Sequence, residues 1–121
     1  MVLSCGIDIE EIQRFDKHYF QNGILSDLIY DIFTTREIEN LSYCGKKAFL
    51  KGFCFKEAFY KAINSQNVNW FDIEILFAEN DYKIETSELL TSELERKEVT
   101  KIDVKFNETN LYITCKVVLL K

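Results

Sequence analysis

Proline is absent from this 121-residue chain, which removes one of the usual markers of turns and helix ends. The chain also has no Gly/Ser-rich linker, low-complexity tract or internal repeat, so nothing in it argues for division or for a repeat architecture. A single domain over residues 1–121 is expected, and 47% hydrophobic residues with 14% aromatics suffice for its core. No run approaches the roughly 18 uncharged apolar residues that a membrane span needs. The opening MVLSCGIDIEE lacks the basic flank and long apolar stretch of a secretory signal. A cytoplasmic protein with no membrane partner is the expectation.

Histidine occurs once, at His18, and Cys5, Cys44, Cys54 and Cys115 are scattered without a C-x-x-C pair, so little is at hand to complete a zinc site. The cysteines read as reduced, mostly buried small hydrophobes. Basic charge is also in deficit: the net charge is −5 and the pI near 4.9. That argues against nucleic acid as the main partner, since phosphate binding needs a basic surface, but leaves room for a local basic patch.

Residues 2–10 alternate with the period of a half-buried strand, Leu3, Cys5, Ile7 and Ile9 on one face and Ser4, Gly6, Asp8 and Glu10 on the other. With the apolar face inward, Asp8 is expected to point away from the core. From Ile12 the spacing lengthens through Phe15, Tyr19 and Phe20. It resumes after Asn22-Gly23 through Ile24, Leu25, Leu28, Ile29 and Ile32, which predicts two short helices. Thr34 with Glu37 three residues later is a capping box opening a third helix.

The segment 46–64, KKAFLKGFCFKEAFYKAIN, is apolar around most of its circumference and predicts a central buried helix. Strands are predicted over Trp70–Phe77 and Asp81–Glu85, a helix over 86–98, and strand again from Ile102 to Leu120, divided near residues 107–110. The order predicts an α+β fold, a largely antiparallel sheet packed on the long helix.

On that helix Phe53, Glu57 and Lys61 fall at i, i+4 and i+8. Burying an unpaired carboxylate costs several kcal/mol, so Glu57 needs a cation: either Lys61, in an ordinary helix pair worth about 0.2–0.5 kcal/mol, or a metal. Asp8 alone reads as a strand-edge carboxylate. Together, Asp8 and Glu57 supply hard oxygen ligands for magnesium, and Lys61 a cation for a phosphate, which is what phosphoryl-group chemistry requires. Arg14, Lys17 and His18 form a small cationic face on the helix after the first strand, open to either docking or plain solvation.

Two segments carry a family resemblance. Gly6-Ile7-Asp8-Ile9-Glu10-Glu11-Ile12-Gln13-Arg14-Phe15 resembles the opening G-x-D-(I/L)-x-E-I-x-R-(I/F) of holo-(acyl-carrier-protein) synthases, and Phe55-Lys56-Glu57-Ala58-Phe59-Tyr60-Lys61-Ala62 resembles their (W/F)-x-x-K-E-A-x-x-K-A helix. Phe33-Thr34-Thr35-Arg36-Glu37-Ile38 and Trp70-Phe71-Asp72-Ile73-Glu74-Ile75 are similar to their F-T-x-x-E and W-x-D-I-E-(V/I) segments. The resemblance covers roughly the first two-thirds of the chain.

It implies a 4′-phosphopantetheinyl transferase, trimeric in this family, that uses Mg2+ to move phosphopantetheine from coenzyme A to a serine of an acyl or peptidyl carrier protein. Asp8 and Glu57 would be the magnesium ligands and, with Lys61, the catalytic group. Lys61 and Lys56 would lie at the phosphates, Glu11 in support of the metal or in solvent, and Arg14 and Lys17 on the carrier-docking helix. The family's S-x-S-H segment is replaced by Lys105-Phe106-Asn107-Glu108 and its helix arginine by Gly52. Both are expected to remodel the grip on the nucleotide end of coenzyme A, with Lys105 or Lys116 as possible substitutes. The same losses suit a degenerate relative that binds carrier protein without transfer.

Overall fold

The fold is built around one contact, between the first strand and the longest helix. The computed structural model describes residues 1–21 and 24–121. In chain order it runs β1 (Val2–Glu11), α1 (Ile12–Tyr19), β2 (Phe20–Gln21), β3 (Ile24–Leu25), α2 (Leu28–Ile32), α3 (Thr35–Cys44) and α4 (Lys46–Ile63). A 3-10 turn at Trp70–Asp72 then leads to β4 (Ile73–Ala78), β5 (Asp81–Thr86), α5 (Glu88–Arg96), β6 (Lys101–Glu108) and β7 (Tyr112–Leu120). Every sheet pairing is antiparallel, and the three-stranded sheet has the order β1-β7-β6, while β2-β3 and β4-β5 are separate pairs. The expected α+β architecture is therefore present, with its strands split among several sheets. The sequence break at Asn22-Gly23 lies outside the described residues, and the second predicted helix is shortened to α2 because Ile24 and Leu25 pair with β2 instead.

The expected face of β1 is inverted. Gly6 and Asp8 are buried, whereas Ile7 is 53% and Ile9 60% exposed. A Cβ built on Gly6 would stand 2.0 Å from the Ala58 carbonyl oxygen and 2.8 Å from the Ala62 nitrogen, so strand and helix meet backbone to backbone. Only a face of small residues allows that approach. The Ser4 hydroxyl donates to the Ala62 carbonyl at 2.7 Å, and the Cys54 thiol to the Asp8 carbonyl at 3.3 Å. The large aliphatic side chains of β1 are thereby turned outward. On β7 the inward row is Ile113, Cys115, Val117 and Leu119, all buried against α4 with Phe55, Phe59 and Ile63.

The other side of α4 is fixed by polar groups. The capping box at α3 forms as the sequence implies, with Thr34 and Glu37 exchanging hydrogen bonds. Glu37 continues inward: its carboxylate takes the Lys56 ammonium at 2.6 Å and the Ile75 amide at 3.0 Å. Lys56 also donates to the carbonyls of Ile32 at 2.9 Å and Trp70 at 2.7 Å. This single pair ties α2, α3, α4, the 3-10 turn and β4 together. Burial pushes Glu37 up and Lys56 down, each toward its neutral form, opposed by their mutual attraction. None of the described helices is long and apolar enough to cross a membrane.

Lys56→Met leaves the Glu37 carboxylate buried without its cation and should cost about 3–5 kcal/mol in urea denaturation. The double variant Lys56→Met/Glu37→Leu should recover part of that loss. A single-variant loss below about 1 kcal/mol would mean that the pair does not anchor the fold.

Candidate functional site

Asp8 reaches the site from the inward face of β1, and Glu57 and Lys61 from α4 one turn apart. Asp8 is only 8% exposed. Its Oδ1 accepts a hydrogen bond from the Lys61 ammonium at 3.2 Å, and Lys61 also donates to the Ile7 carbonyl at 3.0 Å. The other carboxylate oxygen, Oδ2, is buried with no hydrogen-bond partner. Lys61 thus bridges to the strand, so the simple helix pair with Glu57 does not account for it. The Glu57 carboxyl is held above its usual range by burial and by repulsion from Asp8, with Lys61 acting in the opposite sense.

Glu10 joins this cluster, a residue that motif reasoning passed over. It sits two positions from Asp8 on the same strand face, half-buried, and is pushed up to about 8 by burial and by the neighbouring charges of Asp8 and Glu57, against the attraction of Arg14. Tyr19 is raised by its burial and by the charges of Glu10 and Glu57. The signal in the sequence was strand parity: residues 8 and 10 share a face and residue 11 does not. Glu11 is exposed at the junction of β1 and α1 and lies on the other face.

Beside the cluster opens a cleft of about 350 Å³, lined by Ile9, Glu10, Arg14, Phe15, His18, Tyr19 and Phe53. Arg14 and His18 therefore line the site approach, while Lys17 is exposed on α1 outside this lining. Lys56 does not reach the site. Its ammonium is fully enclosed by Glu37 and two carbonyls, which corrects the expectation that it meets a phosphate.

Gly52 also belongs to the interior: a Cβ there would stand 3.1 Å from the Phe33 ring and 3.6 Å from Ile75. The position that carries the motif arginine therefore faces the core in this chain. Asn107 and Glu108 close β6, and Glu108 is paired with Lys47 at the start of α4. Lys105 and Lys116 oppose each other across β6 and β7 on the sheet face away from α4, so neither reaches Asp8 within the chain. Of the cysteines, Cys54 and Cys115 are buried under Asp8, whereas Cys5 and Cys44 are exposed free thiols, which corrects half of the expected burial.

The donor set fits a hard divalent cation. It offers carboxylate oxygens on two rigid elements, one of them buried and unpartnered, in a place where like charges already repel. Among the described residues no three acidic, cysteine or histidine side chains are already gathered closely enough to hold a metal ion.

Comparison with known proteins agrees with the geometry. The family model described as the 4′-phosphopantetheinyl transferase superfamily matches residues 4–114. The chain is 36% identical over 85 residues to a holo-[acyl-carrier-protein] synthase of Geobacter sp. (strain M21), a match covering 63% of each chain. It is 35% identical over 91 residues to one of Geobacillus sp. (strain WCH70), covering 72% of this chain and 76% of that one. The chain therefore spans less than two thirds of the length of the Geobacter relative. Among solved structures, the holo-[acyl-carrier-protein] synthase of Neisseria meningitidis superposes with a TM-score of 0.79 at 22% identity over the whole of both chains. That of Helicobacter pylori, solved with coenzyme A, gives 0.72 at 21% identity, covering 96% of this chain and 99% of that one. At these identities the two structures establish the shared fold.

The carboxylate cluster gives stability a pH dependence. Glu10 holds its proton up to about 8 when folded, against an ordinary value of 4.5, so folding favours the protonated form. The resulting stability is complete below about pH 4.5 and is lost as pH rises toward about 8. Glu10→Gln should therefore melt a few degrees above the parent chain near pH 8.5 in chelator, with the two curves converging near pH 5. Solvent screening of this half-exposed group keeps the gap small. Melting curves whose separation does not change with pH would contradict the assignment.

Proposed function

Because the chain belongs to the 4′-phosphopantetheinyl transferase superfamily, we propose that it transfers 4′-phosphopantetheine from coenzyme A to a serine of an apo acyl or peptidyl carrier protein. The product besides the holo carrier is adenosine 3′,5′-bisphosphate. The observation that carries this reading is the buried, unpartnered Asp8 Oδ2 beside Glu57 and Lys61 on the matching motifs.

Asp8 and Glu57 would hold Mg2+, which when bound offsets phosphate charge and favours departure of the bisphosphate. In the transfer, the serine oxygen forms a bond to the β-phosphorus of coenzyme A, the bond from that phosphorus to the bridging oxygen breaks, and the serine proton leaves to a base. Lys61, 54% exposed at its side chain, can turn from Asp8 toward a phosphate and stabilise the charge that develops there. Phe53, Phe15 and Tyr19 wall the cleft and restrict water. Arg14 and Lys17 on α1 offer cations to an acidic carrier.

We also propose a homotrimer, the state that the family resemblance implies, for which the exposed Leu3, Ile7, Ile9, Leu111 and Tyr112 on and beside β1 offer apolar surface to bury. The cytoplasm, where reduced thiols persist, suits its four free cysteines. One observation favours a second reading: Glu108, where the resemblance expects the S-x-S-H segment, is engaged by Lys47. On that reading the chain binds carrier protein without transfer.

Incubation with coenzyme A, Mg2+ and a panel of apo carrier proteins should add one phosphopantetheine to a carrier, read by mass spectrometry. Asp8→Ala and Glu57→Ala should each lower the rate by roughly 10²-fold or more, the scale of a lost electrostatic group at a reacting centre. If no carrier gains mass while calorimetry still shows carrier binding and no coenzyme A binding, the second reading replaces the first. Sedimentation should give three chains per particle, and a monomer at micromolar concentration would remove the trimer.

A further inference from the structure

The wall of the cleft continues as an aromatic run. The Tyr19 and Phe53 rings lie 5.5 Å apart, centroid to centroid, and Trp70 stacks on Phe53 at 6.2 Å. Next to Trp70 the surface carries Leu28, Tyr30 and Phe71, three large apolar side chains left exposed. Hydrogen bonds fix this order. The Ser26 amide donates to the Tyr19 carbonyl at 2.8 Å, which holds the start of α2 against the end of α1. The Lys56 ammonium gathers the Ile32 and Trp70 carbonyls, which seats the end of α2 beside the 3-10 turn. The cleft, the aromatic run and α2 therefore form one continuous surface.

Charge is divided across it. Arg14, Lys17 and His18 are exposed on α1 within about 100° of the helix circumference. At the other end Asp27 and Asp31 are exposed one turn apart on α2, beside Leu28. Among the described residues neither Arg14 and Lys17 nor Asp27 and Asp31 enter an ion pair, and the Asp27 side chain makes no capping bond to α2. The fold makes no use of these four charges. A partner acidic throughout would be attracted at α1 and repelled at α2, and such like-charge juxtaposition is how a surface rejects wrong partners.

We infer that Asp27 and Asp31 select the acceptor: the carrier protein that this surface takes presents an acidic residue to Arg14 and Lys17, apolar residues to Leu28, Tyr30 and Phe71, and a basic residue to Asp27 and Asp31. The inference rests on the carrier binding proposed above and adds the charge pattern by which one carrier is told from another.

The probes are an apo acyl carrier protein whose docking helix is acidic throughout and a set of its variants, each with one acidic residue of that helix changed to lysine. Calorimetry measures their binding to the full chain and to Asp27→Lys/Asp31→Lys. The parent chain should bind at least one lysine variant roughly threefold or more tighter than the all-acidic carrier, and the reversed chain should invert that order. Both differences should shrink in about 0.5 M salt. Asp27→Asn/Asp31→Asn, a change of charge with little change of shape, should bind the two carriers alike, and circular dichroism checks that both double variants are folded. The inference fails if the parent prefers the all-acidic carrier, or if parent and reversed chains rank the carriers alike; the transferase reading then stands. If the parent chain binds none of these carriers, the carrier reading falls and the inference with it. If reversal changes the number of chains per particle in sedimentation and not the ranking of carriers, the surface is a contact between copies and the inference is overturned.

Discussion

The position of every group in the candidate site follows from the backbone contact between β1 and α4 at Gly6. With a Cβ there 2.0 Å from the Ala58 carbonyl, any other residue would lift the strand off the helix. Once the strand lies that close, its next residue on the same face, Asp8, must sit at the level of the α4 turn that carries Glu57 and Lys61. The same contact sets which way β1 turns. Small and polar residues go inward because nothing larger fits, and Leu3, Ile7 and Ile9 go outward for want of room. The site and the apolar outer surface are two results of one steric constraint.

That constraint needs a helix that does not move, and the Lys56–Glu37 pair supplies it from the opposite side. Successive residues on a helix are about 100° apart. Lys56 pointing into the Glu37 network therefore leaves Glu57 to emerge along the β1 edge, beside Asp8. The adjacent Lys and Glu thus have opposite tasks: one is buried to fix the rotation of the helix, and the other is offered to the cleft. An account that sends both to the substrate overlooks the complete satisfaction of the Lys56 ammonium by Ile32, Glu37 and Trp70.

Much of this was legible in the sequence. The extent of α4, the capping box at Thr34, the β6–β7 division and the pairing of Asp8 with the Glu57 turn all follow from periodicity, cap chemistry and motif. The facing of β1 was not legible, because alternation reveals two faces and hydrophobicity ordinarily chooses between them. Here helix contact overrode that choice, and only the coincidence of Gly6 with Ala58 and Ala62 explains the override. The short β2–β3 pairing was hidden for a similar reason: Ile24 and Leu25 continue an apolar spacing that fits a helix equally well. The roles of Lys56 and Gly52 depend on what stands across from them, Glu37 in one case and Phe33 in the other, and such long-range neighbours leave no local mark.

Glu10 shows what the scaffold makes possible. The carboxylates along this strand face and across from it oppose folding, since burial and repulsion raise both Glu10 and Glu57 above their ordinary range. A free strand would relieve the repulsion by moving away. Here it cannot, because Ser4, Gly6 and the Asp8 carbonyl are each held to α4 by a short contact or hydrogen bond. The strain therefore stays where the chemistry is, offset by the aliphatic and aromatic core around Phe55 and Phe59. Local rules of charge placement are broken in this way at functional sites when rigid surroundings hold them broken. A cation between Asp8 and Glu57, as proposed, would relieve that repulsion, and the contact of β1 with α4 fixes the elements that carry the two carboxylates.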